Sequence, residues 1–208
     1  MMYLTQLVLD PRCRAVRNDL ADPYELHRTL LRAFPDAEDG GPGRILYRVE
    51  PPRGEPRFVV LVRSEVAPDW SRLEVSSDYL LEPPATKPFD PSFAAGRRLC
   101  FRLRANPTVK RDGKRRPLLG EGEQRAWLDR KAAEGGFRVV RAEVTPEGAS
   151  YGQKSAGGAT MTLTHHAVRF DGLMAVTDPE RLRQALRAGI GSAKGFGFGL
   201  LSLAPERG

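Results

Sequence analysis

The sequence predicts an α+β protein made of two tandem β-α-β-β-α-β units with antiparallel sheets, and three observations lead there. Strand-like and helix-like segments follow one another in nearly the same order in each half of the chain. A proline-rich stretch, Glu82 to Gly96, separates the halves. A length of 208 residues suits two small domains as well as one large one. The order of elements is that of the ferredoxin-like, or RRM-like, fold. The expected organisation is therefore a first domain over 1–81, a linker over 82–96 and a second domain over 97–208.

Taken in order, Tyr3 to Leu9 is rich in residues that favour a strand. In "LADPYELHRTLLRAF", Asp22 is a good N-cap, Pro23 suits the first helical position, and Glu25 stands three residues after the cap, so a helix is expected from Pro23 to Phe34. Strands follow at Arg44 to Glu50 and Phe58 to Ser64, then a weaker helical stretch near Asp69 to Val75. The segment "EPPATKPFDPSFAAG" carries four prolines and no sustained period, the mark of an extended connection. Beyond it, "RLCFRLRA" reads as a strand, and "EGEQRAWLDRKAAEGG" as a helix ending at Gly135 and Gly136. Strand "FRVVRAEV", a glycine-rich loop and strand "TMTLTHHAVRF" come next. Helix "DPERLRQALRAG" begins with Asp178 as cap and Pro179 as first residue, and a last strand is expected over "GFGFGLLSL".

Hydrophobic residues make up 40% of the chain, enough for packed cores. The formal charge of +7 and a pI near 9.8 favour a polyanionic partner, since clustered Lys and Arg displace counterions from phosphates. No apolar run approaches the ~20 residues of a membrane span, and "MMYLTQLVLD" lacks the features of a signal peptide, so a cytoplasmic protein without membrane partners is expected. Cys13 and Cys100 are isolated, with no spacing that suits a disulfide framework or a metal.

Positive charge is concentrated in "RRLCFRLRANPTVKRDGKRRP", nine basic residues against the single Asp112. Leu99, Phe101 and Leu103 alternate with Arg98, Arg102 and Arg104, which buries one strand face and leaves the other lined with guanidiniums. Lys110, Arg111, Lys114, Arg115 and Arg116 surround Asp112-Gly113, a basic hairpin tip or mobile loop. Together these eight residues are candidate nucleic-acid contacts. The plain alternative is a solvated sheet edge guarded by charge.

The C-terminal "GIGSAKGFGFGLLSL" does not fit a dinucleotide fingerprint, because a helix precedes it where a strand is needed. Its Lys194 to Phe198 matches the opening of an RNP1 motif, yet Gly199 and Leu201 depart from the rest, and RNP1 belongs on an internal strand. A third reading is a loop whose bare backbone at Gly191, Gly195 and Gly197 admits a nucleic-acid strand, with Lys194 beside a phosphate. Against it stands a tight turn that needs glycine only for packing.

In the first helix, Tyr24 and His27 lie three apart, followed by Arg28 and Arg32. His27, Leu30, Leu31 and Phe34 follow the i, i+3, i+4, i+7 pattern, so the imidazole falls on or beside the buried face. The helix alone leaves open whether it is a core residue or a functional one. No HExxH motif, metal-spaced carboxylate cluster or serine elbow competes, and His165 and His166, adjacent on a strand, face opposite ways.

With "DPYELHRTLLRA" near the start, "FRLRANPT" opening the second half and "GIGSAKGFGFGLLSL" near the end, the chain resembles the CasE family over essentially its whole length. These are the CRISPR precursor-RNA endoribonucleases of type I-E Cascade systems. The resemblance implies a catalytic pair at Tyr24 and His27, with Arg32 in place of a supporting lysine. It also implies cleavage at the base of a CRISPR repeat hairpin and retention of the product, the crRNA, beside other Cascade subunits; DNA is not expected as a direct substrate. No cofactor or metal is called for: RNA carries its own nucleophile in the 2'-hydroxyl, and a histidine moves the proton. The first turn of the helix is expected to offer free N–H groups and a positive dipole end to the phosphate and to keep the imidazole neutral, with Arg28 also near. The rival reading is a non-catalytic RNA-binding module with His27 in the core.

Overall fold

The computed structural model describes the chain except residues 51, 53, 55, 74, 75, 157, 158, 207 and 208, and side chains except also those of 37, 152–156 and 159–162. Its first unit comprises Met1–Asp90, Tyr151–Leu163 and Gly195–Gly197, and its second Pro91–Ser150, Thr164–Lys194 and Phe198–Gly208.

The first unit opens with β1 (Met2–Leu9), α1 (Arg14–Ala21) and α2 (Pro23–Leu31), followed by β2 (Ile45–Glu50), β3 (Phe58–Ser64) and β4 (Ala85–Phe89). Its sheet runs β2-β3-β1-β4 with antiparallel pairing throughout, and Tyr3 to Leu9 run against Ser64 to Phe58 in register. The second unit holds β5 (Arg98–Ala105), β6 (Thr108–Arg111), β7 (Lys114–Pro117), α3 (Glu121–Glu134), β8 (Phe137–Ala156), β9 (Ala159–Val176), α4 (Pro179–Ala188) and β10 (Leu201–Pro205). Its main sheet runs β10-β5-β9-β8, and β6 pairs with β7 in a separate ribbon. Each main sheet thus has its last and first strands adjacent, then the third, then the second. This is the ferredoxin-like order twice over.

Each sheet buries one face under helices. Leu7 and Leu9 of β1, Ile45 and Tyr47 of β2, and Val60 and Val62 of β3 form one core with Val16 of α1 and Leu26, Leu30 and Phe34 around α2. Each such side chain contributes about 1.5–3 kcal/mol by leaving water. In the second unit Leu99, Phe101 and Leu103 do the same beneath Trp127 of α3, whose ring stacks on Phe170 of β9 at 6.0 Å. The opposite face of the first sheet is also covered, since Leu46, Arg48 and Arg63 are buried. Burial pushes the Arg63 guanidinium down to about 9, with the nearby Arg48 cation acting the same way.

Several elements differ from the expected ones. Helix α1 is missed by periodicity because it is eight residues long, buries only Val16 and has no side-chain cap. Helix α2 stops at Leu31 since the chain tightens there: Arg32, Ala33 and Phe34 donate to the carbonyls three residues back, and Pro35 blocks continuation. The stretch near Asp69 forms only a short turn, Trp70–Arg72, and Glu74 and Val75 lie outside the described residues. Strand β4 forms within the proline-rich connection, on the sheet's edge, where prolines are tolerated. Strands β8 and β9 continue well into what reads as a glycine-rich loop, whose Gly157 and Gly158 lie outside the described residues. The last strand begins at Leu201, because the segment before it is a loop with a turn at Lys194–Phe196 and positive φ at Gly197 and Gly199.

Asp22 joins α1 to α2. Its N–H closes α1 on the Asn18 carbonyl, its carboxylate accepts from the Tyr24 N–H at 2.9 Å, and its carbonyl accepts from Glu25 and Leu26. Replacing Asp22 with Ala removes the cap, so stability should fall by about 1 kcal/mol in urea denaturation. An unchanged midpoint would mean that packing alone holds this corner.

Candidate active site

Helix α2 presents Tyr24 and His27 on one side, one turn apart. Its buried stripe is Leu26, Thr29 and Leu30, continued by Ala33 and Phe34, so His27 sits beside that stripe and is half-buried. Beneath it lies Tyr47 of β2, 1% exposed, whose ring runs nearly parallel to the imidazole at 13° with centroids 6.0 Å apart. The Tyr47 hydroxyl donates a short hydrogen bond to the Pro23 carbonyl, the first residue of α2, and stands 3.5 Å from the Gly195 carbonyl.

The glycine-rich loop closes the site from the other side. A Cβ on Gly195 would stand 3.3 Å from His27 Cδ2 and 3.5 Å from Nε2, and one on Gly197 would stand 3.2 Å from the Tyr47 ring. Between them Phe196 stacks on Tyr24 at 5.8 Å and 28°. His27 Nδ1 is buried with no hydrogen-bond partner among the described residues, which leaves Nε2 as the nitrogen open to proton exchange. Burial holds the imidazole below its ordinary value of 6.5, favouring the neutral ring.

The helix start works differently from the sequence expectation. Pro23 has no N–H, and those of Tyr24, Glu25 and Leu26 are all taken by Asp22, so the first turn offers a phosphate no free donors from these residues. The neutral imidazole therefore owes its state to burial. Arg28 is exposed and pairs with Glu25 at 3.1 Å. Arg32 caps the C-terminus of α2, about 140° round the helix from His27, and lines a groove with Ala15, Asn18, Asp19, Glu25 and Thr29.

The second unit carries the basic segment. Arg98, Arg102 and Arg104 do alternate with buried Leu99, Phe101 and Leu103, but each is paired across the sheet: with Glu206 at 2.9 Å, Asp171 at 2.5 Å and Glu147 at 2.7 Å. Arg104 also lies over the Phe198 ring at 4.4 Å. Lys110, Arg111, Lys114, Arg115 and Arg116 sit on the β6–β7 ribbon, exposed and in no ion pair among the described residues. The ribbon turns at Asp112 and Gly113, both with positive φ, the geometry of a type I' turn. Gly191 lies against Trp127, so like Gly195 and Gly197 it faces a protein ring. Among the described residues no group of His, Cys, Asp and Glu has metal-binding geometry. Nor is any helix there long and apolar enough to cross a membrane.

A family model described as "CRISPR associated protein" matches residues 2–205. Over 98% of its length the chain is 44% identical to the full length of the CRISPR-associated endoribonuclease Cse3 of Thermus thermophilus. The chain belongs to this CRISPR-associated family. It is also 32% identical, across 98% of the chain and all of the relative, to the CRISPR system Cascade subunit CasE of Escherichia coli K12. Among solved structures, Thermus thermophilus Cse3 bound to an RNA representing a pre-cleavage complex superimposes with a TM-score of 0.83 at 45% identity, covering 98% of this chain and 99% of that one.

Sequence reasoning about this family member missed Tyr47 and Phe196. Tyr47 sits in an apolar strand and reads as core. Only its register opposite Val62 turns it toward α2.

The buried imidazole makes stability depend on pH. The folded state holds His27 below 6.5 while the unfolded chain takes its proton near 6.5, so this contribution is complete above that pH and is lost as pH falls below it. His165 acts in the same direction, through burial and then Arg104. The melting temperature should therefore drop between pH 7 and pH 5, and His27→Gln should flatten part of the decline. A parallel decline in the variant would place the titrating group elsewhere.

Proposed function

We propose that this protein is a metal-independent endoribonuclease that binds the hairpin of a CRISPR repeat transcript, cuts at the hairpin's base and stays on the product as a subunit of a Cascade complex. Its place of action is the cytoplasm, where the transcript is made. The observation that carries the reading is the half-buried imidazole of His27, whose burial favours the neutral form, with Tyr24 one turn away. It sits in a chain alike from end to end to a CRISPR-associated endoribonuclease.

The proposed chemistry uses the substrate's own nucleophile. The substrate's 2'-oxygen attacks the adjacent phosphorus in line with the departing 5'-oxygen, so the protein must align the strand and move protons. Nε2 of His27 makes that transfer, typically worth ~10² to 10⁴-fold. Tyr24 orients the phosphate or the leaving oxygen beside it. With the α2 N–H groups spent on Asp22, the phosphate is held by side chains, Arg28 and Lys194 being nearest in sequence to the pair and the loop. Arg32 contributes only if its side chain swings from the α1 groove toward His27. The five ribbon cations, Lys110, Arg111, Lys114, Arg115 and Arg116, supply phosphate contacts along the hairpin stem. Arg98, Arg102 and Arg104 contribute a weaker field because carboxylates already balance them.

Repeat RNA incubated in EDTA should be cut to a product ending in a cyclic phosphate. A single 2'-deoxy nucleotide 5' of the scissile phosphate should stop the cut. His27→Ala should lower the rate by ~10² to 10⁴-fold with binding nearly intact, and Tyr24→Phe by less. Efficient cutting of the deoxy substrate, or full activity of the alanine variant, returns His27 to a structural role.

Changing Lys110, Arg111 and Lys114 together to Ala should weaken RNA binding and flatten its salt dependence by about one unit of slope per lost phosphate contact, leaving the saturated cleavage rate close to the parent's. A salt slope equal to the parent's would move the RNA off this ribbon.

A further inference from the structure

We infer that Tyr47 is a positioning residue for His27, holding the imidazole by ring stacking and the flanking backbone by its hydroxyl. The inference rests on the catalytic reading of His27 above. Among the described residues no side chain or backbone group bonds to Nδ1, so none of them fixes the ring through that nitrogen. Most reactive histidines have such a bond, and it sets both tautomer and orientation. Here shape does that work. The Tyr47 ring lies 13° from parallel beneath one face of the imidazole, and the Gly195 backbone closes on the Cδ2–Nε2 edge.

Tyr47 can serve as a fixed floor because it is itself immobilised. It is 1% exposed, stands in a paired strand between Ile45 and Val49, and is pressed by Gly197, where a Cβ would come within 3.2 Å of its ring. Its hydroxyl bonds the Pro23 carbonyl at the start of α2 and lies at the limit of hydrogen-bond distance, 3.5 Å, from the Gly195 carbonyl. One side chain thus sets the height of the helix start, the plane of the imidazole and the approach of the glycine loop. The ring also covers the buried side of the imidazole, which favours the neutral form.

The test compares Tyr47→Leu, Tyr47→Phe and His27→Ala in single-turnover cleavage of repeat RNA, with RNA affinity, thermal unfolding and an NMR titration of His27. The leucine variant should lose ~10- to 100-fold in rate through misalignment, keep its RNA affinity within about twofold, and show His27 titrating closer to 6.5. The phenylalanine variant keeps the stacking ring and loses the bond to the Pro23 carbonyl, so it should keep the parent's titration and recover only part of the rate. A folded leucine variant with the parent's rate and titration overturns the proposal, as does a rate loss matched by lost affinity. If the leucine variant does not fold, Tyr47→Met, flexible and similar in volume, carries the same comparison. If His27→Ala cleaves at full rate, the catalytic reading fails instead, which separates the two.

Discussion

The stack of His27 on Tyr47 ties helix α2 to the sheet of the first unit. A phenol on a strand would ordinarily end its hydroxyl in solvent or on a nearby carbonyl. Here it reaches the carbonyl of Pro23, so the sheet, the start of α2 and the glycine loop share one buried group. Buried hydroxyls need a partner, and the carbonyl of a first-turn residue supplies one at little cost to the helix. The sheet thereby fixes the height at which the helix begins, and the helix fixes where Tyr24 and His27 emerge.

That arrangement also settles the electrostatics. A helix N-terminus attracts anions when its N–H groups are free, but Asp22 occupies those of α2, and its carboxylate cancels much of the dipole's positive end. The neutral imidazole follows from burial, an effect that salt screens little. In the proposed function phosphate binding falls to arginine and lysine side chains, whose attraction salt screens strongly. Under that proposal proton transfer and affinity are governed by different physics.

Charge follows the same division. On β5 the guanidiniums face carboxylates from β8, β9 and the C-terminal segment, forming a lattice across the sheet in which Arg169 joins Glu147 and Asp171. The lattice stiffens a surface without leaving it strongly positive. The β6–β7 ribbon has no such partners among the described residues, and its two strands place five cations on a narrow type I' hairpin. Such a projection can enter a groove of a structured RNA and meet phosphates on both sides, as a flat sheet cannot.

The amino-acid order alone determined most of the fold. The caps Asp22 and Asp178, each followed by proline, placed two helix starts to the residue, and a β-branched apolar run placed β3 and alternation β5 to the residue, because these are local effects that act within a turn or a pleat. It also marked Tyr24 and His27 as neighbours and the region around Asp112-Gly113 as basic. Tertiary structure decided what lies opposite each of them. Strand pairing set Glu147 and Asp171 against the β5 arginines, and a linear count of nine bases to one acid could not register carboxylates tens of residues away. Helix phase carried Arg32 round to the α1 side. The register of β2 on β3 aimed Tyr47 at the imidazole, and the chain's return at Gly195 closed the ring's edge. These contacts join residues up to 168 positions apart in sequence number, from His27 to Gly195, and arise only when helix, sheet and loop of the first unit are packed, since nothing in the local preference of a tyrosine or a glycine names its distant partner.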